Sequence, residues 1–252
     1  MVAKRRLVAA LACRNQGSRL YGKPVQNLDV DLGVKVIDQI IDCIKTITCI
    51  DDCVLAVALG SENDIFEAVA KQHGISLIRG DEHDVLQRLI DAGESSGATD
   101  IFRVTTESPF MYFEAIESSW IRFVDGYYDA LFFDQIVDGC GFEIVSLEAL
   151  QKSHSLGESK HRSEMCTLYI RENTDAFRIL RLNPADALMR FDLRLTIDNP
   201  EDLVLCRHIF SKFLDLYPRM PLASIIEFLD KNPELKELVS PFTIGGYKTM
   251  YL

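Results

Sequence analysis

Short continuous apolar runs alternate along this chain with segments whose apolar residues recur every three or four positions. Leu7 to Leu11 is followed by Val36, Ile37, Ile40, Ile41 and Ile44, then by Val54 to Leu59, then by Ile65, Phe66 and Val69. An apolar run of strand length reads as a buried strand, and recurrence at i, i+3 and i+4 as the inner face of a helix. The order therefore predicts a βαβα rhythm. Ser61 is placed to cap a helix starting near Glu62, Gly74 to end it, and Ile75 to Ile78 to form the next strand. Val85, Leu86, Leu89 and Ile90 predict a further helix, and Ile101 to Thr105 the strand after it. This alternation predicts an α/β fold: a mostly parallel sheet with helices on both faces and ligands over the carboxyl ends of its strands.

From about 126 to 190 the rhythm breaks. Tyr128 to Phe133, Phe142 to Val145 and Phe177 to Leu182 are strand-like, polar loops separate them, and His161 to Glu172 has helical character. We read this region as a small, partly antiparallel excursion that walls a second pocket and mediates dimerisation. Order returns with a strand over Leu193 to Ile197. Asn199-Pro200-Glu201-Asp202 then opens a helix, with Asn as cap, Pro in the first turn and acids against the helix dipole. That helix is expected to run towards Tyr217, followed by another over Leu222 to Leu229 and a polar tail.

The first strand empties into Leu11 to Pro24, which carries Arg14, Arg19 and Lys23 beside Gly17 and Ser18. Cations give charge-assisted donors, and a glycine-containing turn lets backbone amides approach oxygen closely, so the segment suits a polyanion such as a triphosphate. Gly17 to Lys23 also satisfies G-x-x-x-x-G-K, but Pro24 stands where a P-loop needs the Ser or Thr hydroxyl that holds magnesium. A solvated basic turn is the plainer alternative. Cys13 beside Arg14 invites a nucleophile, although a cysteine at a strand end more often packs.

With 252 residues the chain is long enough for one α/β domain spanning 1–252. Its net charge of -11 argues against nucleic acid or an anionic membrane as partner and leaves a small molecule. No apolar stretch reaches membrane-spanning length, and seven cysteines without a CxxC pair suit a reducing, cytoplasmic setting.

The motifs together resemble the CMP-sugar synthetases, the acylneuraminate cytidylyltransferase family. Arg14, Ser18, Arg19, Leu20, Gly22 and Lys23 fall on its A-R-x-x-S-x-R-L-P-G-K signature, with Cys13 and Tyr21 as departures. Arg79 to Arg88 is similar to R-G-x-x-x-D-V-L-x-R, Arg103 to Pro109 to R-V-T-G-D-C-P, and Leu195 to Leu203 to L-T-V-D-T-P-E-D-L. Glu164 to Asn173 resembles the spore-coat polysaccharide (SpsF-like) branch, as does Asn232 to Leu235.

The resemblance implies a Rossmann-like nucleotidyltransferase that uses CTP and magnesium. It implies nucleotide binding by Leu11, Ala12, Arg14, Gly17, Ser18, Arg19, Lys23, Arg79, Asp84, Arg88, Arg103 and Thr105, with Arg14, Arg19 and Lys23 stabilising the leaving pyrophosphate. Asp84 serves equally well as a helix cap. Glu107 stands where the family has a magnesium-binding aspartate, and Asp198 keeps the second acidic position. Asp138, Glu143, His161, Arg162 and Glu164 are the candidates for an acidic acceptor of the 3-deoxy-ulosonate type. His161 is either a base or merely structural, and Arg162 either grips an acid or pairs on the surface. Gly141 replaces an aspartate of the branch, and Thr106 a glycine, which leaves room for a phosphate or phosphonate acceptor, or for a module that binds nucleotide without turnover. A homodimer for surface glycan synthesis completes the expectation.

Overall fold

The structure is a computed structural model that describes residues 5–17 and 19–250, with the side chains of 244 and 246–250 left aside. Ser18 lies outside the described residues. The strands are β1 (Leu7–Cys13), β2 (Asn27–Asp29), β3 (Val34–Lys35), β4 (Asp52–Ala58), β5 (Ser76–Gly80), β6 (Asp100–Arg103), β7 (Ala130–Phe133), β8 (Phe142–Ser146) and β9 (Ile179–Arg181). The helices are α1 (Val36–Lys45), α2 (Ile65–His73), α3 (Val85–Ser96), α4 (Ile116–Asp125), α5 (Leu147–Leu156), α6 (Leu168–Glu172), α7 (Pro200–Lys212), α8 (Leu222–Lys231) and α9 (Pro233–Met250).

Seven strands form one sheet in the order β5-β4-β1-β6-β8-β7-β9, and β2 pairs with β3 in a small ribbon. β5, β4, β1 and β6 are mutually parallel, β8 runs antiparallel to both its neighbours, and β9 is parallel to β7. The α/β expectation holds, and the antiparallel excursion amounts to one reversed strand.

Period-two alternation in β1 explains why the sheet needs cover on both faces. Leu7, Ala9, Leu11 and Cys13 enter one core with apolar residues of α1, α2, α4, α7 and α8. Val8 and Ala10 enter a second core with α3, α5 and Ile170 of α6. The helix boundaries follow from local chemistry. α2 ends at Gly74, the Asp84 carboxylate accepts from Gln87 N at the start of α3, and Asp202 accepts from Asn199 N at 2.8 Å at the start of α7.

Four expectations are corrected. Leu193 to Ile197 is not a sheet strand; it makes a single bridge, Arg194 with Asp138. Leu195 N donates to Asp138 O at 2.7 Å within that bridge, and Ile197 N donates to Glu107 O at 2.9 Å. Gly139 permits this, because a Cβ there would lie 2.7 Å from the Leu195 and Thr196 backbone, and its φ is +89°. The segment thus staples two loops together above the sheet.

The helix expected over His161 to Glu172 is a 3-10 turn, Ser159–Arg162, and then α6. The His161 ring accepts from Glu158 N and meets the Glu172 carboxylate, which holds the two pieces as a hook. The polar tail is α9, whose Leu235, Leu238 and Val239 recur at helical spacing and pack on the core. α7 itself stops at Lys212, and a 3-10 turn, Leu214–Leu216, carries the chain to Tyr217. Among the described residues no helix is long and apolar enough to cross a membrane.

Candidate active site

A cavity of about 1080 Å³ opens over the carboxyl ends of β1, β6 and β7 and the amino end of β8. That is where parallel α/β sheets place ligands. Its volume suits a nucleotide together with a second small molecule.

One end is cationic. Arg14, Arg19 and Lys23 line it, with Ala12 and Gly17 between them. Gly17 sits so close to the turn that a Cβ would approach Leu20 O at 2.3 Å, so no larger residue fits this backbone. Gly22 N donates to Asn15 O at 2.8 Å and pins the far side of the loop. Arg14 lies 3.6 Å from both Glu82 and Glu164, and Arg19 lies 3.5 Å from Asp198. Lys23 Nζ donates to Asp198 Oδ1 at 2.8 Å. Arg88 also lines the cavity, from a buried position where it donates to Cys13 O and Ala56 O and ties off the carboxyl ends of β1 and β4.

Asp198 joins this end to a buried anchor. Arg194 donates to Asp198 Oδ2, to Asp138 Oδ2 at 2.8 Å and to Asp202 Oδ1 at 3.1 Å. One guanidinium does not fully compensate three carboxylates. Burial pushes the Asp138 carboxyl up to about 6 despite Arg194, and its Oδ1 has no partner among the described residues. Asp198 is likewise opposed by burial, yet Lys23 and Arg194 outweigh it and hold its carboxyl low. Glu107 lines the same end, and no ion pair to it occurs within 4.0 Å among the described residues. Burial pushes its carboxyl up, partly offset by Lys23 and reinforced by Asp198.

The opposite end is built from Phe133, Asp134, Phe142, Glu143, Thr167 and Arg171. Arg171 forks onto Asp134 at 2.7 and 2.9 Å and reaches Glu143 at 2.7 Å. Arg103 takes the other Glu143 oxygen at 2.7 Å, and Thr167 donates to Glu143 at 2.9 Å. Burial opposes the Glu143 charge, but the two guanidiniums prevail and hold the carboxyl down at about 2. Arg171 also lies 3.8 Å over the Phe132 ring.

The cavity gathers Ala12, Arg14, Gly17, Arg19, Lys23, Arg88, Arg103, Thr105, Glu107, Glu143, Glu164 and Asp198 from the sequence expectations. Six residues stand apart. Leu11 points into the core. Arg79, on the edge strand β5, pairs with Asp64 and Glu67. Asp84 is the cap of α3 and pairs with His154 at 2.8 Å. Asp138 is buried behind the wall on Arg194. His161 is buried on Glu172, and Arg162 donates to His154 O. Cys13 packs with a thiol pushed far up by burial, which removes it as a nucleophile.

Sequence reasoning gave no role to Arg194, Asp134, Thr167 or Arg171. Asp134 stands in no local pattern, since its partner Arg171 lies 37 residues away, and Arg194, although four residues from Asp198 and eight from Asp202, also holds Asp138, 56 away. Arg171 lies in the Glu164 to Asn173 segment that resembles the spore-coat branch, and its burial was the missing clue.

This architecture is the α/β fold of the nucleotidyltransferases. No protein-family model matches the sequence. A solved cytidylyltransferase from Leptospira borgpetersenii superposes with a TM-score of 0.83 at 23% identity, covering 92% of this chain and 97% of its own. A CMP:2-keto-3-deoxy-manno-octonic acid synthetase solved with CTP superposes at 0.61 with 13% identity, covering 82% and 99%. In sequence the chain is a distant relative of the spore coat polysaccharide biosynthesis protein SpsF of Bacillus subtilis, 26% identical over 73% of this chain and 77% of SpsF. The resemblance to the cytidylyltransferases read from the motifs therefore stands.

Proposed function

We propose that the protein is a CTP-dependent cytidylyltransferase. An acceptor oxygen attacks the α-phosphorus of CTP, the bond to the β-phosphate oxygen breaks, and pyrophosphate leaves with the electron pair. The observation that carries this reading is the convergence of Arg14, Arg19 and Lys23 with Glu107 and Asp198 on one cavity end over the parallel strands. In-line phosphoryl displacement needs positioning and neutralisation of charge, and three cations beside two carboxylates supply both.

Magnesium fits the donor set. It takes one or two carboxylates and completes its shell with phosphate oxygens and water. Glu107 and Asp198 would hold it, and bound there it would neutralise developing charge on the phosphates. Arg14, Arg19 and Lys23 then stabilise the departing pyrophosphate, while Arg88, Arg103 and Thr105 shape the nucleotide pocket.

For the acceptor we favour an acidic sugar of the 3-deoxy-ulosonate type, for surface glycan synthesis. The support is the second end of the cavity, walled by Arg103, Glu143, Glu164 and Arg171, and the fold shared with the solved CMP:2-keto-3-deoxy-manno-octonic acid synthetase. A single domain, a homodimer through about 126–190 and a cytoplasmic site of action belong to the same reading. The net charge of -11 supports a partner that is neither nucleic acid nor an anionic membrane surface.

The test is pyrophosphate release with CTP, UTP, ATP or GTP plus magnesium, across acidic sugars, phosphorylated small molecules and phosphonates. Release with CTP and an acidic sugar supports the reading in full. Release with CTP and a phosphorylated or phosphonate acceptor keeps the activity and replaces the acceptor. CTP binding without release from any acceptor would favour a nucleotide-binding module.

A further inference from the structure

We propose that Asp198 makes the polyanion end selective for a metal-complexed triphosphate over the free one, by holding Lys23 and Arg19 on its Oδ1 until a divalent cation takes that oxygen. The inference rests on the nucleotide reading above and adds a specificity determinant to it.

The two oxygens of Asp198 are held differently. Oδ2 is fixed by Arg194, which is itself buried and anchored on Asp138 and Asp202. The Asp198 backbone is fixed as well, because its amide donates to Asp202 Oδ2 at 2.9 Å. This carboxylate therefore cannot follow a departing cation. Oδ1 faces the cavity end and is shared by Lys23 at 2.8 Å and Arg19 at 3.5 Å. Those two are long, partly exposed side chains able to swing toward a phosphate.

Charge balance decides the consequence. The cluster holds three cations, Arg19, Lys23 and Arg194, against three carboxylates, Asp138, Asp198 and Asp202. A free triphosphate that draws Lys23 and Arg19 away leaves three carboxylates on one guanidinium, two negative charges in excess in a largely buried site. Partly compensated buried charge is strongly unfavourable. A divalent cation on Oδ1 cancels that excess, so metal and triphosphate help each other bind, and by linkage the help is mutual. Glu107, facing the same end without an ion-pair partner among the described residues, adds to the demand for a cation.

The experiment measures CTP binding to the full chain by calorimetry, in EDTA and in excess magnesium, for wild type, Asp198→Asn, Lys23→Met and Asp198→Asn with Lys23→Met. Wild type is expected to bind CTP much more tightly with magnesium. Asp198→Asn is expected to bind CTP in EDTA at least about fivefold more tightly than wild type, and to lose most of the magnesium effect. Measured against Lys23→Met alone, Asp198→Asn should give a much smaller gain in the Lys23→Met background than in wild type, which identifies Lys23 as a released group. Equal or weaker CTP binding by Asp198→Asn in EDTA overturns the inference, as does wild-type binding that ignores magnesium. Failure of wild type to bind CTP under any condition instead overturns the nucleotide reading. A second measurement does not need the Asp198 variant to fold: manganese binding alone, read by electron paramagnetic resonance. Lys23→Met should strengthen it severalfold by removing the competing ammonium, and unchanged or weaker binding contradicts the proposal.

Discussion

The two ends of the cavity hold similar numbers of charged groups and use them in opposite ways. At the polyanion end two of the three loop cations make long, solvent-facing pairs, Arg14 at 3.6 Å from its partners and Arg19 at 3.5 Å and 59% exposed, and only Lys23 holds its carboxylate, Asp198, at 2.8 Å. At the opposite end Arg171, Arg103, Asp134 and Glu143 sit at 2.7 to 2.9 Å, mostly buried, with Thr167 closing the remaining valence. Loose pairs can exchange partners when phosphates arrive, because exposed salt bridges contribute little to stability. A saturated buried network cannot be opened cheaply, and it sets the shape of a wall. One end is thus built to exchange charge, the other to hold form.

The strongest way to break this contrast is to cut the wall. Arg171→Met leaves Asp134 and Glu143 without their shared cation and should cost about 3–5 kcal/mol in urea unfolding. A loss under about 1 kcal/mol would show that the network is no more rigid than a surface pair. Next, Lys23→Met should lower kcat/KM for CTP by about a hundredfold to a thousandfold, as removal of a donor to developing charge does elsewhere. Its unfolding midpoint should fall less than that of Arg171→Met; a larger stability loss with intact kinetics would reverse the roles assigned to the two ends.

Acid sharpens the same comparison. Glu143 is held at about 2, below its ordinary 4.5, so its contribution is complete above pH 4.5 and is lost as pH falls towards 2. Urea midpoints from pH 7 down to 2.5 should show a loss of up to about 3 kcal/mol from this group, and Glu143→Gln should flatten that part of the profile. A variant with the wild-type slope would place the acid sensitivity elsewhere. The smallest effect is expected from Arg79→Ala. It removes two surface ion pairs on the edge strand, and CTP affinity should stay within about twofold and stability within about 0.5 kcal/mol. A large loss of CTP affinity in a titration would return Arg79 to the site.

The contrast also explains what could be read from the sequence. The alternation of Leu7 to Leu11 with Val36 to Ile44 announced parallel strands and helices because burial is periodic, and periodicity survives without coordinates. Arg14, Arg19 and Lys23 were legible because loop cations cluster within a few residues of one another. The wall was less so. Asp134, Glu143 and Arg171 come from three elements, and no local spacing reports that one carboxylate accepts from two arginines. Arg79 and Asp84 lie in a family-like segment, yet alternate facing along β5 and the cap of α3 turn them to neighbours outside the cavity. His161 was misplaced for a related reason: its ring closes a hook in the backbone, which a helical reading of 161–172 conceals.

The most direct test of the central claim is equilibrium binding of CTP with magnesium to wild type and to the double variant Arg19→Met, Lys23→Met. The account predicts saturable one-site binding by wild type, weakened at least about a hundredfold in the double variant, with cooperative unfolding preserved. Binding left intact by that double substitution would mean that these cations do not hold the triphosphate, and the site would have to be sought elsewhere.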